Sequence, residues 1–238
     1  MKRHMKRLAA PRTWSIPRKK KVWVVKTAPG PHKTEESVPL LVVVRDLLKY
    51  ASTGREAKRI LREGQIVVDK KARKDYKFPI GLADIVEIPA LKERKIVLYD
   101  GRGKIILKEI SLKNSKAKLC KIVDKTLVDG GKVQLNLHDG RNLLLDPKDD
   151  VYKVKDSILF DLEKKAVKGH YRFKEGSTAL ITGGKHTSRI AKIKEIRINR
   201  GPGANTVVME DKDGEFQTID GYVFVAGDKK LAIPGVGK

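Results

Sequence analysis

Short apolar runs separated by tight-turn dipeptides constrain the fold of this chain more than any other feature of its sequence. Asp-Gly recurs at 100–101, 129–130 and 139–140, and hairpin turns favour this residue pair. Because the runs between these dipeptides are short, residues 99–172 are predicted to form a central β-rich domain. The final segment, 173–238, has the same pattern and predicts a small β-barrel.

The N-terminal segment, residues 1–40, has a different character. It contains eleven lysines and arginines before the first acid, Glu35. Five prolines interrupt it, so the sequence predicts an extended basic tail without a core of its own. Trp14 and Trp23 are unusual in such a tail. Each could either stack on a nucleic-acid base or dock the tail on a folded domain.

Residues 41–98 predict a helix or strand, then a helix and a short sheet. Thr53 and Glu56 have the spacing of a capping box, and Gly64 is placed to end the helix that they begin. The apolar face of this helix comprises Ala57, Ile60 and Leu61. The opposite face is basic and comprises Arg55, Lys58, Arg59 and Arg62.

The charge of the whole chain indicates the class of partner. Its 238 residues include 53 Lys and Arg against 29 Asp and Glu, a net charge of +24. Nucleic acid is the first candidate, because each neutralised phosphate releases a condensed counterion. An anionic membrane is the second, but no apolar run approaches the length of a membrane span. The N-terminus also lacks the apolar core of a secretory signal, so we expect no membrane partner.

The sequence contains no recognisable catalytic or metal-binding constellation. Cys120 is the only cysteine, which excludes an intrachain disulfide, fits a reducing cytosol and predicts a small buried side chain. The acids of the Asp-Gly pairs are expected to shape turns, and the stretch 211–214 lacks the spaced ligands of a calcium loop. We therefore predict no catalytic residue, no metal, no cofactor and no small-molecule substrate.

The stretch ALITGGKHTSRI, residues 179–190, could be read as a nucleotide-binding loop. That loop would need a glycine in place of Ala179, a serine or threonine in place of His186, and a following helix. The residues that follow alternate as in a strand, so we exclude nucleotide binding. Two explanations remain, a solvated turn or a hairpin whose glycines let a ligand approach the backbone. In the second, donors come from Lys185, His186, Thr187 and Arg189, and the next strand adds Lys192, Lys194 and Arg197.

Two segments resemble known RNA-binding motifs. The loop resembles the KOW motif of ribosomal proteins and transcription elongation factors, with Ser188 and Ala191 where that motif usually has glycine. Residues 53–71, TGREAKRILREGQIVVDKK, resemble the αL RNA-binding motif, with Asp69-Lys70 in place of its usual Asn-Gly turn. This second resemblance implies that the basic face of the helix contacts an RNA backbone.

The order of these parts resembles the small-subunit ribosomal protein family S4e of archaea and eukaryotes over nearly the whole chain. The segments that carry the resemblance include KRLAAPRTW, GPHK, RDLLKYASTGREAK, KLCKIVDK and HDGRN. It implies an α+β, mostly β protein with four parts: a basic extended tail (1–40), an αL RNA-binding domain (41–98), a central β-rich domain (99–172) and an SH3-like KOW barrel (173–238). It also implies a structural constituent of the cytoplasmic ribosome, with small-subunit rRNA and neighbouring ribosomal proteins as partners.

The residues expected to contact RNA come from the tail, the αL domain and the KOW loop. The tail contributes Lys2, Arg3, Lys6, Arg7, Arg12, Trp14, Arg18, Lys19, Lys20, Lys21, Lys26 and Lys33. The αL domain contributes Arg55, Lys58, Arg59, Arg62, Lys70 and Lys71. The KOW loop and the strand after it contribute Gly183, Gly184, Lys185, His186, Thr187, Arg189, Lys192, Lys194 and Arg197.

Two other functions stay open at this point. A KOW-bearing transcription elongation factor would bind RNA polymerase through an apolar patch and would not need so long a basic tail. A pseudouridine synthase can carry an αL motif as an appendage, but its catalytic aspartate requires a large mixed domain. The short apolar runs after residue 99 do not predict such a domain.

Overall fold

The computed structural model describes residues 4–128, 130–228 and 231–233. The chain divides at residue 116 into two compact units, which we call the first unit and the second unit. All strand pairings recorded for the described residues are antiparallel. No helix in these ranges is long and apolar enough to cross a membrane.

The described residues of the first unit form nine short strands, five of which make one sheet. They are β1 (Met5–Lys6), β2 (Trp23–Val24), β3 (Val38–Pro39), β4 (Val67–Val68), β5 (Lys71–Ala72), β6 (Pro79–Ile80), β7 (Ile85–Ile88), β8 (Glu93–Tyr99) and β9 (Ile105–Glu109). The sheet has the order β5-β4-β7-β8-β9, and the other strands pair as β1–β2 and β3–β6. Because β9 belongs to this sheet, the first unit continues past the boundary predicted at residue 98.

The apolar run after Pro39 forms a buried helical segment. It begins as α1 (Leu40–Val42) and continues into a wider helical turn, Val43–Leu47. Every residue from Leu40 to Val44 is at most 1% exposed, which explains why polar positions are absent from this run.

The second helix, α2 (Gly54–Arg62), begins and ends as the sequence predicts. The hydroxyl of Thr53 accepts the backbone N–H of Glu56, and the Glu56 carboxylate accepts the N–H of Thr53. The capping box is therefore confirmed. Gly64 follows the helix with φ +75°, the left-handed conformation that glycine adopts without strain.

The turn between β4 and β5 is tight although it lacks the usual Asn-Gly. Asp69 and Lys70 have φ values of +49° and +64°, so both adopt the left-handed conformation that this hairpin turn requires. The Asp69 carboxylate accepts the N–H of Ile85 at 3.0 Å. The Lys70 ammonium lies 2.8 Å from a Glu87 carboxylate oxygen. Interactions with β7 therefore hold a turn that two non-glycine residues would otherwise disfavour.

The basic N-terminal segment folds against the rest of the first unit, so the expectation of an extended tail is wrong for its described residues. Trp14 is 1% exposed, and its indole N–H donates to the Ser37 carbonyl at 2.6 Å. The backbone N–H of Ile105 in β9 donates to the Thr13 carbonyl at 2.7 Å. Three apolar side chains lie buried among the basic residues of this segment and anchor it, those of Trp14, Ile16 and Val24.

A buried histidine and aspartate pair makes a second anchor. His32 Nε2 lies 3.0 and 2.9 Å from the two carboxylate oxygens of Asp84, and the Gly81 N–H donates to one of them at 2.9 Å. The His32 ring occupies the space beside Gly81, where any Cβ would lie 2.4 Å from the ring. Residue 81 must therefore be glycine for the N-terminal segment to pack in this way.

Two five-stranded sheets are formed by the part of the second unit that the structure describes. Their strands are β10 (Ala117–Val128), β11 (Lys132–Leu137), β12 (Asn142–Leu145), β13 (Ser157–Asp161), β14 (Val167–Tyr171), β15 (Thr178–Ile181), β16 (Ile190–Arg197), β17 (Thr206–Asp211), β18 (Gly214–Ile219) and β19 (Val223–Gly227). The first sheet has the order β12-β11-β10-β13-β14 and the second β18-β17-β16-β15-β19. A mostly β architecture is thus confirmed.

Two of the three Asp-Gly pairs lie in turns between described residues, and Asp129 of the third lies outside them. The Asp100 carboxylate accepts the N–H groups of Arg102 and Lys104 in the turn between β8 and β9. Gly140, between β11 and β12, has φ +72°. Both pairs therefore shape turns, as expected.

Asp161 is the last residue of β13, and its carboxylate accepts hydrogen bonds from the turn that follows the strand. The Lys168 ammonium lies 2.7 Å from one carboxylate oxygen, while the N–H groups of Glu163 and Lys164 donate to the other. Chiefly through Lys168, these contacts lower the pKa of Asp161 from 3.8 to about 2. The carboxylate therefore stabilises the fold above its unfolded pKa, and this contribution is lost as pH falls towards about 2.

The variant Asp161→Asn should be less stable than the native chain near neutral pH, because it keeps an acceptor for the turn but loses the ion pair. The difference in free energy of unfolding, measured with urea between about pH 6 and pH 2.5, should shrink below about pH 4. Asp146→Asn, at an exposed aspartate, is the control and should show a smaller change. A difference for Asp161→Asn that stays constant with pH would contradict the assignment.

Candidate nucleic-acid interface

Positive charge is concentrated in the first unit. Residues 1–116 contain 30 Lys and Arg against 12 Asp and Glu, a net charge of +18. Residues 117–238 contain 23 against 17, a net charge of +6. A polyanion would therefore be attracted mainly to the first unit.

Helix α2 presents arginines to solvent because its other face is buried. Ala57 and Leu61 are fully buried. Arg55, Arg59 and Arg62 are exposed. Only Arg59 among them has a recorded acidic partner, Glu63 at 3.0 Å, and its side chain is still 84% exposed. Exposed pairs of this kind are weak, so the helix keeps a face of guanidinium groups that can bind phosphate.

Lys58, the fourth predicted cation of this helix, is less available than the arginines. It is partly buried, and its ammonium lies 4.5 Å from the centre of the Tyr76 ring. Lys70 is also partly buried and pairs with Glu87, whereas Lys71 is exposed. The predicted cations of the αL domain therefore all lie in the first unit, but the exposure of their side chains differs.

A cleft of about 510 Å³ lies at the start of α2. Its lining consists of Val25, Leu41, Arg45, Thr53, Gly54, Arg55 and Lys58. Sequence reasoning missed Arg45, which lies in the buried helical segment and pairs with its neighbour Asp46 at 2.7 Å. Nothing in the sequence indicates that Arg45 faces the start of the next helix, because the two segments meet only in the folded unit.

A second cleft in the first unit, of about 480 Å³, is also lined by lysines. It is formed by residues 26–34 together with Lys77, and its cations are Lys26, Lys33 and Lys77. Lys77 was missed because it joins this segment only through a long-range contact, the Ala28 N–H donating to the Lys77 carbonyl at 2.9 Å. Lys33 is exposed, and Lys26 is partly buried.

The predicted RNA contacts of the tail divide into surface and structural residues. Lys6, Arg12, Lys19, Lys20 and Lys21 are exposed, and Lys2 and Arg3 lie outside the described residues.

Three of the predicted RNA contacts instead pack within the protein, namely Trp14, Arg7 and Arg18. Trp14 is buried in protein, so the expectation that it stacks on a base is wrong. Arg7 is 2% exposed and lies 3.8 Å from Asp46, which removes it from the surface. Arg18 is partly buried, and its guanidinium donates to the carbonyls of Leu8, Ala10 and Pro11.

The loop between β15 and β16 is a compact hairpin. Gly184 has φ +81° and Ser188 has φ +70°, so the serine adopts the left-handed conformation expected at a glycine position. The Thr187 hydroxyl donates to the Gly184 carbonyl at 2.7 Å, and Thr187 is buried. The His186 ring stacks on Phe216 with 4.3 Å between centres. Thr187 therefore stabilises the loop from within, which corrects its prediction as an RNA donor, while Lys185 remains exposed.

Acids accompany exposed cations of β16 and the arginine just before it. Glu215 pairs with Lys194, Glu195 with Arg197 at 2.9 Å, and Asp213 lies 3.5 Å from Arg189. Hydrogen bonding to Glu215 raises the pKa of Lys194. Lys192 is exposed on the same strand. These carboxylates reduce the attraction of the strand for phosphate.

Cys120 lies close to His138 and Asp139, although 18 positions separate it from this adjacent pair in the sequence. One possible ligand atom from each falls within 4.8 Å of the others. However, the Asp139 carboxylate already contacts the Lys118 ammonium at 3.1 Å and the Arg141 guanidinium at 3.2 Å. His138 Nδ1 accepts the N–H of Lys121. Two cations beside the carboxylate disfavour a metal ion here, and the group acts as a buried polar cluster. Cys120 is buried as expected, but its neighbour is a carboxylate at 3.6 Å.

Three family patterns match successive parts of the chain. The RS4NT (NUC023) domain matches residues 1–35, the S4 domain matches residues 38–86, and the pattern described as ribosomal family S4e matches residues 92–167.

Curated relatives resemble nearly the whole chain, and a solved structure resembles most of it. The small ribosomal subunit protein eS4 of Methanococcus maripaludis (strain C6) is 48% identical, and the match covers 98% of this chain and 97% of the relative. The eS4 protein of Archaeoglobus fulgidus is 50% identical, covering 95% of this chain and 94% of the relative. The crystal structure of the 30S ribosomal protein S4e from Thermoplasma acidophilum superimposes with a TM-score of 0.71 at 31% identity, covering 83% of this chain and 98% of that one.

The variant Gly184→Ala tests the conformation of the loop. A Cβ at this position would meet the Tyr222 ring only at an ordinary 3.7 Å, so the cost arises from the left-handed backbone. We expect a loss of about 1–2 kcal/mol in the free energy of unfolding, measured with urea. Gly221→Ala is the control, because a Cβ there meets nothing within 4 Å and its φ is not in the left-handed region. Equal effects of the two variants would argue against the loop geometry.

Proposed function

The chain belongs to ribosomal family S4e, and from this premise we propose that it is a structural constituent of the small ribosomal subunit. It binds rRNA and supports subunit assembly and translation. The observation that carries the mechanism is the exposed face of Arg55, Arg59 and Arg62 on a helix whose other face is buried. The helix backbone is already ordered in the folded protein. RNA binding therefore loses conformational entropy mainly in the arginine side chains themselves.

Phosphate contacts supply most of the affinity in this mechanism. Guanidinium and ammonium groups neutralise backbone charge and release counterions, which gives affinity without reading the base sequence. The two lysine- and arginine-lined clefts of the first unit add further positive charge next to the N-terminal segment. Recognition therefore depends on the shape of the folded rRNA, as is common for proteins that bind structured RNA.

The loop between β15 and β16 makes a secondary contact in this proposal. Lys185 in the loop and Lys192 in β16 are exposed, while Lys194, Arg197 and Arg189 have acidic neighbours. The resemblance of this segment to the KOW motif supports an RNA contact. The paired cations make it weaker than the contact through α2.

The remaining partners are neighbouring small-subunit ribosomal proteins, and the location is the cytoplasmic ribosome. The family supports this role over that of a transcription elongation factor, because the relatives reported above are named as small-subunit proteins. We expect no catalysis. Isotope release from labelled uridine in rRNA, which a pseudouridine synthase would cause, should not occur.

The double variant Arg55→Ala/Arg62→Ala tests the proposed face. Each arginine neutralises about one phosphate, so the slope of log affinity against log salt for small-subunit rRNA should fall by about 2. The affinity at low salt should fall as well, roughly evenly across RNA sequences. The slope can be measured by filter binding between about 50 and 200 mM salt.

Two controls make this result specific. Arg102→Ala removes an exposed arginine from the turn between β8 and β9, and it should change the slope less than the double variant does. Circular dichroism should show that α2 is intact, because its capping box and buried face are unchanged. An unchanged affinity and slope in the double variant would show that the arginine face is only solvated surface.

A further inference from the structure

Trp23 is a large aromatic side chain that the fold leaves at the surface. It is 59% exposed, whereas Trp14 of the same segment is 1% exposed. The His4 ring lies beside it, edge-on, with 6.0 Å between ring centres and 64° between planes. The preceding residue, Val22, is also 65% exposed. Burial of an indole ring contributes free energy to folding, and an exposed indole loses much of this contribution. The exposure of Trp23 therefore calls for an explanation.

Strand pairing and backbone hydrogen bonds fix the backbone at Trp23. Trp23 pairs with Lys6 and Val24 pairs with Met5 in the two-stranded sheet β1–β2. Val24 points inward and is 8% exposed. The Arg7 N–H donates to the Val22 carbonyl at 2.8 Å.

Arg18 fixes the connection between the two strands. It donates to the carbonyls of Leu8, Ala10 and Pro11. The strand alternation that buries Val24 therefore keeps the Trp23 ring on the outer face, so that a ligand meets a preformed aromatic platform.

The surroundings of this platform are cationic. Lys6 lies opposite Trp23 in the sheet, and Lys19, Lys20 and Lys21 precede it in the chain; all four are exposed. No acid occurs in the sequence before Glu35. A flat apolar ring among ammonium groups is complementary to a ligand that combines a flat ring with negative charge. An unpaired nucleotide has this chemistry, since its base can stack while its phosphates contact the lysines.

We propose that Trp23 is a stacking site for an unpaired base of RNA, with His4 at the ring edge and Lys6 and Lys19–Lys21 at the neighbouring phosphates. The proposal rests on the rRNA-binding function above and adds a contact that is not electrostatic. It assigns to Trp23 the stacking role that the burial of Trp14 excludes. A protein neighbour on this patch is the competing occupant, and the experiment distinguishes the two.

The test measures the affinity of the full chain for small-subunit rRNA and for two single-stranded probes, a twelve-nucleotide oligoadenylate and its abasic counterpart. Trp23→Ala should bind rRNA and oligoadenylate about tenfold more weakly, with an unchanged salt slope because no cation is removed. Trp23→Phe keeps an aromatic ring and should retain most of the affinity. The native chain should prefer oligoadenylate to the abasic probe, and Trp23→Ala should lose that preference.

Leu91→Ala is the matched control, because it truncates another side chain of the first unit that is 53% exposed. If Trp23→Ala binds all three RNAs as the native chain and Leu91→Ala do, the stacking site is overturned while rRNA binding stands. The same conclusion holds if Trp23→Ala loses only its incorporation into reconstituted subunits, since the patch then contacts protein. If the native chain fails to bind rRNA at all, the proposed function fails as well.

Discussion

The burial of Trp14, together with the hydrogen bond from the Ile105 N–H to the neighbouring Thr13 carbonyl, is the constraint on which the basic surface of this protein depends. It holds the N-terminal segment, which has no acid before Glu35, against the rest of the first unit. The buried pair of His32 and Asp84 holds the same segment at a second point. Without these anchors, repulsion among the cations would favour an extended chain. The anchors instead place the cations on a folded surface.

Local features of this fold follow from the sequence, and long-range ones do not. The capping box of Thr53 and Glu56, the glycine after α2 and the Asp-Gly turn after Leu137 depend on residues close together in the chain, and the structure confirms them. The pairing of β3 with β6 and the burial of Arg7 beside Asp46 depend on contacts across long separations.

The N-terminal segment shows most clearly why the remainder could not be predicted. Its charge and prolines indicate an extended tail, and two tryptophans among them give no sign of which one is buried. The structure separates them, with Trp14 inside and Trp23 outside. The candidate interface could not be fully predicted for the same reason, because Arg45 and Lys77 line their clefts only as a result of tertiary packing. Burial of a cation such as Arg7 or Lys118 likewise depends on a distant acid, Asp46 or Asp139.

The two units use their cations differently. In the first unit the arginines of α2 are exposed above a buried apolar face, and the net charge is +18. In the second unit Lys118 lies buried against Asp139, and three cations in or just before β16 have carboxylate neighbours. This difference favours the first unit as the main RNA-binding surface and leaves the second unit as a folded β structure with a secondary contact. Cross-linking of reconstituted small subunits with ultraviolet light, followed by mass spectrometry of the nucleotide-bearing peptides, tests this account most directly. The account predicts rRNA cross-links concentrated in residues 4–77, whereas cross-links confined to residues 117–238 would contradict it.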